Sequence, residues 1–434
     1  MRDGEQAMKF ELSLLNKFDG ATLNSFLVEM IGDYNQKLLE TKQSGKVGKE
    51  SIQKVLNDFI NGLNIVDPED LRILEKIENT LFLFLFYQDQ DTYYHKKIIG
   101  ENLDVSLIWN LLEQDEEYNP FLDKKLYNSK NEHGIVSIRK DADNLIILFN
   151  YGTYTTTKRR EEKQFLVSCR LNFEAKTLSI GIKDSIFSKI SEADKESFGK
   201  TRYELVQTIL KSIYGMKLGL RYEKYGEGLV EESLYELFLD ESKRAEELIK
   251  QSFESEDEEK RSVDEFKEMA KKFLEENFVL KEPDKFVEKA LSMKYQDQAT
   301  QMPMQSFTNS GGYIFGFSFV EKQITRSDNK SEKKKPIYES KLYWNLKDLI
   351  DEYPNLSQLS IYWKFNKYDF GKKIIDSTED ELSFVELDYR SNNNDLVLHY
   401  YVKGNQSPIL EENSLDRRRR EDYALRKINE YLSK

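Results

Sequence analysis

Two carboxylates and one imidazole near the carboxyl end of the chain have a spacing that could bring them together. Glu386 and Asp388 lie in the stretch LSFVELDYR, and His399 lies in DLVLHYYV, with SNNN between them. If residues 391–394 form a hairpin loop, Glu386 faces His399 and Asp388 lies on the same face of the sheet. Such catalytic residues could coordinate Mg²⁺ or Mn²⁺ and activate water for hydrolysis. Antiparallel sheets commonly expose one polar face to water, so we favour an ordinary polar face with cross-strand salt pairs.

A second group of acids and a lysine matches half of a nuclease motif. Nucleases of the PD-(D/E)xK type need an acid on one strand and an acid-x-Lys triplet on the next, which together bind magnesium. Glu339-Ser340-Lys341 matches the triplet, and Asp328 would be the partner acid. Because Asp328 is predicted in a polar loop rather than on a strand, the other half of the motif is missing.

The triplet Gly199-Lys200-Thr201 is the closest approach to a phosphate-binding loop in this sequence. The first glycine of that motif would fall at Asp194, where a carboxylate would repel phosphate. Thr201 and Glu204 instead match a capping box, and an apolar stripe at helical spacing follows them. The sequence therefore predicts the start of a helix here.

A single cysteine and three histidines limit the metal and redox chemistry of the chain. Cys169 alternates with Val167 and Leu171 on one strand face, so it is predicted to be a core residue rather than a nucleophile. One cysteine excludes an internal disulfide and a cysteine-cluster zinc site. We therefore predict no cofactor, with Mg²⁺ or Mn²⁺ needed only under the hydrolase alternative, and a reducing cytoplasm as the compartment.

Basic residues form three short groups on a chain whose formal charge is −13. Because a net-negative chain does not attract nucleic acid as a whole, any contact must come from local patches. The groups could follow phosphates, although charge runs are usually solvated faces. The candidate nucleic-acid-binding residues are Lys158, Arg159, Arg160, Lys333, Lys334, Lys335, Arg417, Arg418, Arg419 and Arg420.

Hydrophobic patterns place these groups within an α+β fold. Alternation predicts a short strand over residues 8–15, and helical spacing predicts a helical amino-terminal region after it. Ser51, Asp67 and Asp104 are the expected N-caps in that region. Four strand-like stretches with short turns then predict an antiparallel β-meander over residues 135–183.

The second half of the pattern begins with a charged helical segment. Ser262 and Glu265 match a capping box before an apolar face, and residues 299–312 are predicted to be a linker. Strands return after Gly312, including IYESKLYW, with one helix near 345–352 and a final basic helix. The predicted division is 1–198 for the helical region and meander, 199–300 for the charged helical segment, and 301–434 for an antiparallel α+β unit.

These patterns favour a non-enzymatic binding or assembly component. Its expected partner is another protein or a second copy of the chain, and nucleic acid is a further candidate partner through the basic groups. No membrane partner is expected, because the run TLFLFLFY has eight residues and a bilayer-spanning helix needs about 20. The alternative is a divalent-metal-dependent nuclease or hydrolase that uses the carboxyl-terminal carboxylates. A chain rich in Lys, Asn and Tyr is also typical of AT-rich bacteria, phages and mobile elements, which suggests a defence system.

Overall fold

The computed structural model describes residues 8–31, 49–100, 103–130, 132–155, 161–190, 195, 199–253, 257–278, 282–321, 325–352, 354–401 and 410–433. These residues form thirteen α-helices and eleven strands, which confirms the predicted α+β class. Contacts divide the chain into two compact units, Met1–Lys224 with Lys403–Arg419 and Tyr225–Val402 with Arg420–Lys434. The three-part division follows changes of pattern along the chain and stays a prediction.

The first unit combines helices with an antiparallel sheet. Its helices are α1 (Leu12–Leu15), α2 (Gly20–Ile31), α3 (Lys49–Gly62), α4 (Pro68–Leu83), α5 (Val105–Gln114), α6 (Asp184–Phe187) and α7 (Arg202–Gly215). Its strands are β1 (Thr92–Ile99), β2 (Gly134–Asp141), β3 (Asn144–Thr155), β4 (Glu162–Asn172), β5 (Thr177–Ile182) and β6 (Arg221–Glu223).

The sheet of the first unit contains the predicted meander. Its strand order is β2-β3-β4-β5-β1, with β6 also paired to β1, and each of these pairs is antiparallel. Cys169 on β4 lies opposite Ile147 and Ile180, is fully buried, and has a thiol pKa raised by burial. It is therefore the core residue that the alternation predicts.

Strand β1 was not predicted from the sequence. In its stretch TYYHKKII, polar residues occur on both strand faces, so the sequence shows no apolar face. In the structure, His95 and Lys96 are nevertheless both buried. The His95 Nδ1 atom lies 2.8 Å from the Ser179 hydroxyl on β5. Burial, and then the charge of Arg170, lower the pKa of His95 from 6.5 to about 3, so the imidazole is neutral at pH 7.

Local signals at the helix starts of the first unit give mixed results. The Asp67 and Asp104 side chains accept backbone hydrogen bonds in the first turns of α4 and α5, which confirms both caps. Helix α3 begins at Lys49, before the predicted cap at Ser51. The strand predicted over residues 8–15 is wrong, because residues 12–15 form α1. Helical packing buries the adjacent Leu14 and Leu15, a pair that a strand would turn to opposite faces.

The second unit also combines helices with antiparallel strands. Its helices are α8 (Leu229–Phe253), α9 (Asp257–Asn277), α10 (Pro283–Gln301), α11 (Met304–Asn309), α12 (Lys341–Glu352) and residues 420–432 of α13 (Leu410–Leu432). Its strands are β7 (Gly312–Glu321), β8 (Thr325–Lys330), β9 (Leu356–Asn366), β10 (Leu382–Asn392) and β11 (Asp395–Tyr400), in the antiparallel order β11-β10-β9-β7-β8.

Aromatic side chains form much of the core of the second unit. Trp363 on β9 has its ring centroid 5.9 Å from that of Tyr389 and 5.5 Å from that of Tyr423, and both pairs are edge-to-face. The Tyr389 hydroxyl donates a hydrogen bond of 2.6 Å to the Ala424 carbonyl. These contacts hold residues 420–432 of α13 against the apolar face of β9 and β10.

Three local predictions in the second unit are wrong. The linker at 299–312 is instead the end of α10 followed by α11, and Ser262 lies inside α9 rather than at its start. IYESKLYW forms a 3₁₀ turn, Ile337–Glu339, and the start of α12. Tyr343 and Trp344 are adjacent and both buried, which suits a helix packed into a core better than a strand with one wet face. The helix predicted near 345–352 is the carboxyl-terminal part of α12, which begins earlier, at Lys341.

Candidate functional site

The hairpin of β10 and β11 has a different register from the predicted one. Asn393 and Asn394 both have positive φ, so they form a two-residue turn rather than part of a four-residue loop. Asp388 therefore lies opposite His399, and Glu386 is not its direct partner. The register has moved by two residues, so the period-two alternation leaves Glu386, Asp388 and His399 on one face, as predicted.

Asp388 is the centre of a closed network on that face. Its side chain is 0% exposed, and it accepts hydrogen bonds from Lys330 Nζ at 3.2 Å, from an Arg390 guanidinium nitrogen at 2.8 Å and from the Tyr401 hydroxyl. Burial alone would raise the pKa of this carboxyl. The neighbouring Ser360 hydroxyl, the hydroxyl of Tyr401 and the two cations together lower it instead, so Asp388 is ionised at neutral pH.

Glu386 and His399 take part in separate contacts. Glu386 forms an ion pair with Lys334 at 2.5 Å, and the ring centroid of His399 lies 4.8 Å from that of Tyr401 in an edge-to-face contact. Lys330 and Lys334 both lie over the ring of Tyr401, at 4.6 and 4.2 Å from its centroid. Intramolecular cations therefore neutralise both carboxylates of the predicted catalytic group.

The structure offers no ligand set for the hydrolase alternative within the residues that it describes. No three His, Cys, Asp or Glu side chains converge in a way that could hold a metal ion in that part of the chain. Asp328 lies on β8 rather than in a loop, whereas Glu339 lies in the 3₁₀ turn and Lys341 begins α12. The acid-x-Lys triplet is thus not on a strand, as the nuclease motif requires.

The Gly-Lys-Thr triplet starts helix α7, as predicted. The Thr201 hydroxyl accepts from the Glu204 backbone N–H at 3.2 Å, and the Glu204 carboxylate accepts from Thr201 N–H at 3.1 Å and from Lys200 N–H at 2.7 Å. A carboxylate therefore occupies the backbone donors that a phosphate would need. Asp194 lies outside the described residues.

The four consecutive arginines of α13 contact the protein itself. Arg417 is buried, lies over the Tyr93 ring and donates to the Gln90 carbonyl within the first unit. Arg418 pairs with Asp141, and Arg419 pairs with Glu412. Arg420, which is 2% exposed, donates to Ser383 and lies over the Phe384 ring in the second unit. Helical geometry directs successive side chains about 100° apart, so this run does not form one phosphate-facing row.

The other two basic groups differ from each other. Lys334 and Lys335 are paired with Glu386 and Glu339, whereas Lys333 is exposed and has no ion-pair partner among the described residues. The group formed by Lys158, Arg159 and Arg160 lies outside the described residues. From the sequence alone, Lys334 and Lys335 look available to bind nucleic acid. In the structure, ion pairs within the protein already neutralise their charges.

An exposed apolar stripe on α9 is the first candidate feature that the sequence interpretation missed. Phe266, Met269 and Phe273 share one face of the helix, and Met269 is 72% exposed. Leu274, predicted on the same face, is instead buried, as is Val263 on the same side of the helix. At 100° per residue, the two apolar sets point about 90° apart, so one set packs into the unit and the other faces solvent.

Three further exposed apolar residues lie just after α9 and on α10, the helix that packs against α9. Phe278 contacts Phe273 with ring centroids 5.9 Å apart, and Phe286 and Met293, seven residues apart on α10, are 60% and 68% exposed. At about 200 Å² for a large side chain, the six residues expose roughly 700 Å², close to the ~800 Å² that each partner contributes to a standard interface. We call Phe266, Met269, Phe273, Phe278, Phe286 and Met293 the α9–α10 stripe.

A cleft in the first unit is the second feature that the sequence interpretation missed. It has a volume of about 840 Å³, opens to solvent, and lies between one face of α5 and the segment that leads into β6. Leu107 and Leu111 on α5 are half-exposed in this cleft, and Ile99 at the end of β1 joins them. The polar lining residues are Asn110, Gln114, Lys217 and Arg221.

The cleft carries positive charge on one wall. Neither Lys217 nor Arg221 has a carboxylate partner among the described residues, unlike Arg418, which pairs with a carboxylate. The other wall is the apolar and amide face of α5. An occupant that combines apolar side chains with carboxylates would therefore satisfy both walls.

Comparisons with known proteins add no family to these observations. No protein-family model matches the sequence, and no curated protein matches it. Within the described residues, none of the helices is both long enough and apolar enough to cross a bilayer. Any function of this chain must therefore be inferred from its own geometry.

Proposed function

We propose that this protein is a non-enzymatic assembly component that binds another protein surface through the α9–α10 stripe, in a reducing cytoplasm. The observation that carries the proposal is the exposure of six large apolar side chains on two neighbouring helices. Large apolar side chains that are exposed together on neighbouring helices often mark a protein interaction site. Phenylalanine and methionine are also among the residues enriched at protein interfaces.

The rest of the molecule supports a binding role over a catalytic one. The carboxylates predicted to be catalytic are each neutralised by an ion pair, and Asp388 is fully buried. A general base or metal ligand must be able to reach a substrate. In contrast, the stripe residues are exposed and make few polar contacts, so they are available to a partner.

A position-specific photocrosslinker tests this function. A benzoylphenylalanine placed at Met269 should form a discrete protein adduct in cells, because the stripe is covered when assembled. The same group placed at Asp264, on the opposite side of α9, should form none. Met269→Lys in a chain that carries the crosslinker at Phe273 should abolish the adduct. Equal labelling from positions 269 and 264, or no adduct from either, would contradict the proposal.

Nucleic-acid contact is a second candidate, restricted to fewer residues than the sequence indicated. Lys333 is exposed without an ion-pair partner among the described residues, which favours it over the paired Lys334 and Lys335. The segment 158–160 stays a candidate from its sequence. Neutralising Lys333 together with Lys158, Arg159 and Arg160 should weaken binding to all sequences alike and reduce its salt dependence. Neutralising the intramolecularly paired Arg418 and Arg419 should not. A bacterial or phage defence context is part of this proposal.

A further inference from the structure

We propose that the partner surface for the α9–α10 stripe is the α5 cleft of a second copy of this chain, so that copies assemble head to tail. This inference rests on the proposed assembly function and names its partner. It joins the two binding features described above, which lie in different units of the chain. The stripe offers apolar side chains flanked by carboxylates, and the cleft offers an apolar wall and a wall with cations.

The stripe has the spacing of a helix that binds in a groove. Phe266, Met269 and Phe273 stand at positions i, i+3 and i+7, the spacing by which amphipathic helices anchor in apolar grooves. Glu265 lies four residues before Met269, and Glu276 lies three residues after Phe273, so both exposed carboxylates flank the stripe. Acidic residues outnumber basic ones along α9.

The cleft has the complementary chemistry. Its apolar wall presents Leu107 and Leu111, and its other wall presents the cations Lys217 and Arg221. Its volume of about 840 Å³ falls within the range of roughly 300–1,000 Å³ that is typical of binding sites. Because the cleft is open rather than enclosed, it suits a helix from another molecule better than a small ligand, most of whose surface a binding pocket usually buries.

Charge and shape favour this pairing over a pairing of two stripes. Two stripes facing each other would bring the carboxylates of one acidic helix close to those of its copy. A stripe in the cleft instead places Glu265 and Glu276 near Lys217 and Arg221, and covers both exposed apolar surfaces. Such an interface is heterologous, so each copy keeps one free stripe or one free cleft and assembly can continue into a ring or a filament.

Two single variants and their mixture test this arrangement. Met269→Asp places a carboxylate in the stripe, and Leu111→Asp places one in the cleft, both at exposed positions where folding should be retained. Leu342→Asp and Leu71→Asp, at exposed leucines outside both surfaces, are the matched controls. Sedimentation velocity of each full-length chain over a wide concentration range gives its association state, and circular dichroism confirms its fold.

The expected pattern is specific to a heterologous interface. The wild type and both controls should self-associate, whereas Met269→Asp and Leu111→Asp alone should each associate about a hundredfold more weakly. An equimolar mixture of the two variants should form a dimer and nothing larger, because it contains one intact stripe and one intact cleft. Arg221→Glu should weaken wild-type association, and added salt should weaken it further.

Other outcomes would overturn the inference. A wild type that stays monomeric at all concentrations excludes a second copy as the partner. If Leu111→Asp associates like the wild type, the stripe binds elsewhere; if the equimolar mixture stays monomeric, the cleft is not its partner. In each of these cases, an adduct from the crosslinker at Met269 would keep the assembly function, whereas its absence would remove that function as well.

Discussion

The polar face around Asp388 and the α9–α10 stripe contain the two kinds of residue that most often indicate a functional site. The first collects two carboxylates, three cations and an imidazole, and the second collects phenylalanines and methionines. In the first, the cations Lys330, Lys334 and Arg390 and the Tyr401 hydroxyl neutralise or bind the carboxylates. In the second, the large side chains Met269 and Phe286 remain exposed.

The difference shows that reactive residue types indicate a site only when the protein leaves them available. A buried carboxylate whose hydrogen bonds and counter-charges come from the protein itself contributes to fold specificity. Its oxygen atoms are then not available to bind a ligand. An exposed apolar side chain has no such internal partner, so its free energy improves when another surface covers it. Substitutions should therefore affect stability in the closed networks and association at the stripe.

The largest stability effect is expected at His95, a buried polar group of the first unit. The unfolded chain protonates this imidazole near pH 6.5 and the folded chain only near pH 3. Between these pH values the unfolded state binds more protons, so stability falls as the pH falls, by about 4 kcal/mol in total at pH 3. Urea unfolding from pH 7 to 3 should show this loss, and His95→Gln should remove it. A variant as acid-sensitive as the wild type would contradict the assignment.

Asp388→Asn is expected to have the next largest effect. The substitution leaves Lys330 and Arg390 facing a neutral amide. Both cations are partly exposed, so water screens part of the loss, and we expect a cost of about 2 kcal/mol. Glu386→Gln, at the neighbouring partly exposed pair, should cost less than about 1 kcal/mol. Chemical denaturation of both variants measures the contrast. Equal losses from the two variants would show that Asp388 is not the centre of the network.

Thr201→Ala is expected to have a smaller effect. It removes the hydroxyl that accepts from Glu204 N–H at the start of α7, and the loss of an N-cap costs about 1 kcal/mol. Thermal unfolding should show a modest decrease, and Thr201→Ser should restore it. If nucleotides stabilised the wild type but not Lys200→Ala, the helix-start assignment would be wrong.

Met269→Lys should have the smallest effect on stability, below about 0.5 kcal/mol, because the side chain is exposed and packs little in one copy. The same substitution should have the largest effect on association. Denaturation and sedimentation measured on one preparation separate the two effects. A loss of stability as large as that of Asp388→Asn would show that Met269 packs in the core and that the stripe is not an exposed surface.

Several local features could be predicted from neighbouring residues alone. The caps Asp67 and Asp104, the capping box of Thr201 and Glu204, and the core position of Cys169 depend on residues a few positions apart. The meander could be predicted because its strands follow one another with short turns. Strand β1 and helix α1 could not, because burial of His95 or of adjacent leucines depends on residues far along the chain.

Contacts between residues far apart in the chain also limit what the sequence predicts about the site residues. The sequence placed Glu386, Asp388 and His399 on one face, and the even register shift preserved that result. It could not show that Lys330 and Lys334, more than 50 residues earlier, neutralise the two carboxylates. It also placed Phe266 and Leu274 on one face of α9, because periodicity reveals an apolar face without showing which part of it packs.

The α+β class, the order of most elements and the alternation of core and solvent faces can be predicted from the sequence, because they follow from short-range periodicity and backbone chemistry. Which charges are neutralised and which apolar residues stay exposed depends on the tertiary structure. Those outcomes depend on distances between residues far apart in the chain. Arg417 and Arg420 are buried, and Met269 is exposed, because the fold brings partners to the former and none to the latter.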